Sequence, residues 1–216
     1  YNIPPMGIAK IFLFSLLIFV KIDARPISYQ GGSTLISISD NMKDSLYYHY
    51  SPSHKYSLGL ESVDDKFFDK KYTYIRLTYL LNRKNTKHSQ RNLYFQSGMS
   101  LKNNEDSFFG MHGDWETRRL FAGFGYKEIA YNINNYVERY YQVGFAPYLG
   151  EYGDLHTWLM MKRRKNTLTG GWNNYPIIKF FKGNFLVEFG YDSKTNWDFQ
   201  MIYSCLLYTS PSPRDA

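Results

Sequence analysis

From Gly31 onward, apolar and polar positions alternate with a period of two, in short runs separated by turn residues. That is the signature of β-strands with one face in an apolar medium and the other in a polar one. Thr73, Ile75, Leu77, Tyr79 and Leu81 share a face, against Arg76 and Thr78. Leu93, Phe95, Met99 and Leu101 oppose Gln96, Gly98 and Ser100, and Phe109, Met111 and Trp115 oppose His112, Asp114 and Glu116. Leu120, Ala122, Phe124 and Tyr126 then oppose Arg119, Gly123, Gly125 and Lys127. Near the end, Phe185, Val187, Phe189 and Tyr191 oppose Glu188 and Gly190, while Trp197, Phe199, Met201 and Tyr203 oppose Asp198 and Gln200. No helical period competes with this reading.

The glycines decide between a soluble sandwich and a barrel. Both alternate, but a narrow barrel has a use for glycines on its polar face, where they make room for inward Arg, Glu and Tyr side chains. The pattern predicts an all-β fold: a single up-and-down antiparallel transmembrane β-barrel of about 12 strands, with 10 as the alternative count. Turn residues add a second signal. One set of connections is tight: Ser51 to Ser53, Thr117-Arg118, Gly150 to Gly153, and Lys182 to Asn184. The other is longer: Ser62 to Lys71, Lys102 to Asp106, Ala130 to Tyr136, Arg163 to Asn174, and Asp192 to Asn196. Short periplasmic turns and longer external loops would alternate in this way. Asn82 to Gln90 departs from the rule, being long where a tight turn is expected. Pro147 falls inside an apparent strand and predicts a bulge or kink there.

Both chain ends stand apart from the alternation. Met6, Lys10 and the apolar run Ile11 to Val20 read as a signal peptide over residues 6–24, cut after Ala24. The run is too short for an ordinary spanning helix. Residues 1–5 precede Met6 and read as upstream translation. At the other end, Cys205 to Asp215 (CLLYTSPSPRD) abandons the alternation and resembles the translated read-through of a sequencing-library adapter. Residues 205–216 are therefore taken as a non-native tail, which leaves 25–204 as the barrel. The single cysteine lies in that tail, so the barrel itself has no disulfide to form, which is compatible with export but does not require it.

Composition sharpens the membrane reading. The chain has 21 Tyr and 16 Phe, an excess that suits aromatic girdles at two membrane interfaces. Its net charge is +7, with 26 Lys and Arg against 19 Asp and Glu. The cations are scattered among strands and turns instead of clustered with a recognition motif, which argues against nucleic acid. Outer-membrane lipid and the phosphates of lipopolysaccharide are the expected partners. The alternating strand Trp197 to Tyr203 looks like the terminal signal read by the barrel-assembly machinery.

Two stretches carry candidate chemistry. In HGDWE, a strand points His112, Asp114 and Glu116 into the lumen, with Arg118 and Arg119 just past the turn. An imidazole and two carboxylates can hold a divalent cation or serve as general acid and base. They can equally join an interior ion-pair network with Arg76, Arg119 and Glu188, and the network is the favoured reading. In the second stretch His156, Trp158 and Met160 share a face. His with Met suits a soft metal such as copper, so His112, His156 and Met160 are the candidate metal ligands; aromatic packing is the favoured alternative. Ser97 and Ser100 have no histidine at a spacing that would make either a nucleophile. No cofactor is required by the sequence.

The stretches HYSPSHKYSLGLE, HGDWETRRLFAGF, GFAPYLGEYGDLHTWLMMK and IIKFFKGNFLVEFGY together resemble small uncharacterised outer-membrane β-barrel proteins of Gram-negative bacteria. The resemblance implies location in the cell outer membrane and carries no site residues with it. Two functions follow as expectations. One is a non-enzymatic structural or surface barrel, or a narrow pore. The other is a metal-handling or lipid-modifying barrel using lumenal His, Asp and Glu. A soluble periplasmic barrel is a third, and a polar outward face would favour it.

Overall fold

The computed structural model describes residues 27–102, 106–131, 134–151, 153–193 and 196–206. The expected signal peptide, with its cleavage after Ala24, and residues 207–216 lie outside them. Twelve antiparallel strands form one closed barrel in simple up-and-down order. They are β1 (Gly32–Asp40), β2 (Lys43–Ser53), β3 (Tyr56–Asp65), β4 (Lys70–Asn85), β5 (Ser89–Ser100) and β6 (Ser107–Thr117), followed by β7 (Leu120–Tyr131), β8 (Asn134–Phe145), β9 (His156–Asn166), β10 (Asn173–Lys182), β11 (Phe185–Asp192) and β12 (Asn196–Leu206). Closure comes from β1 pairing with β12, from Gly32 opposite Leu206 to Asp40 opposite Asp198. Pairing extends through Cys205, opposite Ser33, so β12 runs two residues past the boundary drawn at Ser204. Ladder hydrogen bonds use backbone groups only and do not depend on which side chains follow Ser204.

The outward face is apolar. Leu60 is 52% exposed, Val143 59% and Phe109 49%, and Leu46, Ile75, Met99, Leu159, Met161 and Phe189 continue the band around the wall. So continuous an apolar surface would be an aggregation hazard in water; facing lipid, it is what a transmembrane barrel presents. The soluble alternative fails on this observation. Among the described residues no helix is long and apolar enough to cross a membrane, so crossing is by strands.

The expected role of the inward glycines holds at the level of individual pairs. Gly98 lies directly opposite Phe108, Gly125 opposite Tyr140, Gly144 opposite Met160 and Gly190 opposite Ile177. In each case the large partner folds over the glycine. A Cβ on Gly125 would meet the Tyr140 ring at 2.1 Å, and one on Gly98 would meet the Phe108 ring at 2.3 Å. Gly125→Val is therefore expected to destabilise the barrel by about 1–3 kcal/mol through overpacking, read as a lower urea midpoint for refolding into vesicles.

Three sequence expectations need correction. Asn82 to Asn85 belong to β4 and the β4–β5 turn is 86–88, so the apparent exception to the turn rule disappears; a register shift between Leu80 and Asn82 had masked the continuing strand. Pro147 lies outside the strands, because β8 ends at Phe145. It opens the connection 146–155, which contains Gly150 to Gly153 and is the longest of all. The two sets of connections do sit at opposite barrel ends, but the expected length difference between them fails. Those at the end away from the termini span 41–42, 66–69, 101–106, 132–133, 167–172 and 193–195.

Candidate functional site

A barrel of twelve strands could leave an open lumen. Here inward side chains fill it, and charged ones cross it. Lys43 on β2 reaches Glu138 on β8, with Nζ 3.0 Å from both carboxylate oxygens. In the closed order β2 and β8 are six strands apart, which is halfway round the barrel. Arg164 on β9 pairs with Asp40 on β1 at 2.7 Å and with Glu138 at 3.6 Å. Asp40 also accepts the backbone N–H groups of Met42 and Lys43 at 2.8 Å, which fixes the β1–β2 turn. Lys162 bridges from β9 to Asp198 on β12 at 2.5 Å, and the Tyr175 hydroxyl donates to the same carboxylate at 2.7 Å. These charges are nearly dry: the Arg164 side chain is 13% exposed and that of Asp40 3%.

Alternation explains how they come to face one another. Asp40, Lys43, Glu138, Lys162, Arg164 and Asp198 all occupy inward positions of strands whose alternate residues meet lipid. A second group sits at mid-lumen. Arg76 donates to Glu61 at 2.8 Å and to the Gln96 side-chain carbonyl at 2.6 Å, and its guanidinium lies 4.3 Å over the Tyr47 ring. Lys127 covers the Phe108 ring at 3.7 Å. Tyr72, Tyr74, Phe108, Ile129 and Tyr136 form an aromatic core beside them.

Toward the end that carries the termini, the lumen opens into a cavity of about 260 Å³. One wall is polar, with Asn92, His112, Asp114 and Glu116; the other is apolar, with Phe121 and Trp158. Ile36, Tyr47, Leu186 and Ile202 form a further apolar cluster inside the barrel. An interior this mixed was not expected from the strands first examined, whose inner faces read as polar.

The candidate residues separate into those brought together and those kept apart. His112, Asp114 and Glu116 line the cavity side by side, and Arg76 pairs with Glu61. Asp114 accepts the Asn92 amide at 2.7 Å, and His112 stacks on the Tyr94 ring with centroids 4.7 Å apart. Arg119 is exposed in the β6–β7 turn, where its N–H donates to Thr117 Oγ1 at 3.1 Å. Glu188 pairs with Lys179 at 3.1 Å. Of the residues expected in a lumenal network, Arg76 and Glu188 take part in ion pairs, with Glu61 and Lys179, and Arg119 lies in the turn.

The candidate metal ligands do not converge. The level of His112 maps through Gly125 and Tyr140 to Arg164 on β9. His156 lies eight residues from Arg164 along that strand, its ring 6.0 Å from that of Phe181, and Phe181 and Trp158 line the same cavity as His112. Met160 and His156 are four residues apart, about 13 Å, and Met160 is packed with Tyr175 and Ile177. Among the described residues no three His, Cys, Asp or Glu side chains gather to hold a metal ion. Added Cu²⁺ or Zn²⁺ at micromolar concentration is expected to leave the melting temperature of the folded barrel unchanged, because a ligand stabilises only where it binds the native state. A rise that His112→Ala abolished would contradict this.

No protein-family model matches the chain, and no curated protein matches it. Among solved structures, "KdgM porin in complex with disordered oligogalacturonate" aligns over 82% of this chain and 99% of that one, at TM-score 0.50 and 13% identity. A second, "Unveiling the Mechanism Behind the in-meso Crystallization of Membrane Proteins", aligns over 84% of this chain and 86% of that one, at TM-score 0.46 and 11% identity. The first likeness is one of fold. With its closed twelve-strand architecture and apolar outer wall, the protein is a membrane β-barrel with a porin as structural neighbour.

Proposed function

We propose that this protein is a non-enzymatic outer-membrane barrel whose lumen forms a narrow pore, barred by ion pairs that run from one wall to the other. The observation that carries the reading is the Lys43–Glu138 bridge between strands on opposite sides of the barrel, seconded by Arg164–Asp40. While it is in place, the bridge crosses the lumen from wall to wall and narrows the path open to a hydrated solute. An even strand count puts both termini at one end, and a chain delivered from the periplasm leaves them there. The ion-pair bar then lies toward the external side and the cavity toward the periplasm.

The ligand in the structural neighbour is a polyanion, whereas most cations of this lumen are already engaged by acids. Its cations Lys43, Arg76, Lys162, Arg164 and Lys179 each meet a carboxylate, while Lys127 covers the Phe108 ring and Arg83 donates to Asn92 and Tyr94. A track for an acidic oligosaccharide would need cations left available to it. The metal-handling alternative finds no group of three His, Cys, Asp or Glu side chains among the described residues.

Membrane fractionation with heat-modifiability on gels tests the barrel, and electrical recording in planar bilayers tests the pore. The expected result is a heat-modifiable outer-membrane protein with small, infrequent conductance steps. Wide, porin-sized steps from the wild-type chain would refute the barred lumen.

A further inference from the structure

The outer wall carries one cationic cluster that the lumen does not explain. Odd-numbered residues of β8 and β9 face outward, so Val143 and Met161 lie in the apolar band. Further from the termini on the same face come Tyr141, Arg139, Arg163 and Lys165. Arg139 is directly opposite Lys165, and Tyr141 opposite Arg163. Trp172, from the connection 167–172, packs across them. Its ring lies 5.8 Å from that of Tyr141, 4.7 Å from the Arg163 guanidinium and 6.0 Å from Lys165 Nζ. On the other flank Arg139 lies 5.3 Å over the Tyr126 ring.

Two facts bear on this patch. Like charges directly opposite on neighbouring strands repel and destabilise a sheet; Arg139 and Lys165 are held in that relation, as are Lys84 and Arg91 at the other barrel end. Elsewhere at this end Lys71 pairs with Asp64 and Lys66 with Asp44, each at 2.7 Å. Among the described residues Arg139, Arg163 and Lys165 have no such ion pair. The acid nearest on this face, Glu128, accepts the Tyr126 hydroxyl at 3.0 Å. Along the strand Arg163 lies about 7 Å and Lys165 about 13 Å from lipid-facing Met161, at the height where an aromatic belt meets the headgroups.

We propose that Arg139, Arg163 and Lys165, ordered by Trp172, bind the phosphate of an outer-leaflet lipopolysaccharide, whose acyl chains lie along Val143, Leu159 and Met161. The proposal rests on the outer-membrane reading and the orientation given above. The anion relieves the Arg139–Lys165 repulsion, and the adjacent apolar band selects a lipid-borne phosphate over a free one. Trp172 is a positioning residue that holds two cationic side chains toward the same point.

The test uses the refolded full chain in detergent, with native mass spectrometry against lipid A carrying its phosphates and against dephosphorylated lipid A. Preferential retention of the phosphorylated form is expected. Each cation near a charged membrane surface is worth about a fivefold change, so the triple variant Arg139→Gln/Arg163→Gln/Lys165→Gln is expected to bind phosphorylated lipid A about 100-fold more weakly. Its binding of the dephosphorylated form should be unchanged. The control Lys66→Gln/Lys71→Gln should retain wild-type binding. Equal binding of both lipids, or full binding by the triple variant, overturns the site. Displacement of the lipid by millimolar inorganic phosphate would assign the cluster to a free anion instead, and so overturn the lipid source. Heat-modifiability is scored on the same samples: a barrel that folds in detergent but fails these arms loses only this site, whereas one that never becomes heat-modifiable fails the membrane reading itself.

Discussion

Arg164→Ala is expected to cost the barrel about 3–5 kcal/mol, the typical penalty for removing one partner of a buried charge pair. Arg164 serves two carboxylates, Asp40 at 2.7 Å and Glu138 at 3.6 Å, and both stay in the lumen when the guanidinium is gone. Glu138 keeps Lys43, at 3.0 Å, so the larger share of the loss falls on Asp40. That carboxylate also anchors the β1–β2 turn through the N–H groups of Met42 and Lys43. Arg164→Ala/Asp40→Asn should recover a substantial part of the loss, because it removes the stranded charge as well. Urea-dependent folding into vesicles measures both. A loss below about 1 kcal/mol for the single variant, in the range of exposed pairs, would mean that water reaches this region freely and that the lumen is open.

The second large effect is on permeation. Lys43→Ala/Glu138→Ala deletes the bridge between opposite walls while leaving no unpaired partner of that bridge behind. Arg164 retains Asp40, so the barrel should still fold. Conductance is expected to rise several-fold over wild type. The direction separates two roles for the same residues: a purely structural ion pair, in a lumen blocked elsewhere, would lower stability and leave conductance unchanged.

Much of the fold was legible because a barrel wall is a repetitive solution to one constraint. Every lipid-spanning strand must show apolar side chains outward and pair its whole backbone, so alternation at Thr73–Leu81 or Phe185–Tyr191 carries the architecture locally. The glycines were legible for the same reason: Gly125 and Gly98 stand on the polar face, and each turned out to lie beneath an aromatic ring. The bar across the lumen was not legible. Lys43 and Glu138 are 95 residues apart, and which of many inward charges meet depends on the register accumulated over six strand pairings. One register shift, such as that between Leu80 and Asn82, changes the answer. HGDWE drew attention because its polar residues are close in sequence, yet its acid Asp114 settles on a neighbouring amide, Asn92, and its histidine on Tyr94. His156 and Met160 share a face but stand too far apart along β9 for one ion. Connection length misled as a guide to sides, because the longest connection, 146–155, lies at the same end as the termini.

Single-channel recording of the wild-type chain beside Lys43→Ala/Glu138→Ala, in the same planar bilayer, tests the barred barrel most directly. The account predicts small, rare steps for the wild type and clearly larger, sustained steps for the double variant. Large steady steps from the wild type, or indistinguishable traces from two equally well-folded proteins, would contradict it.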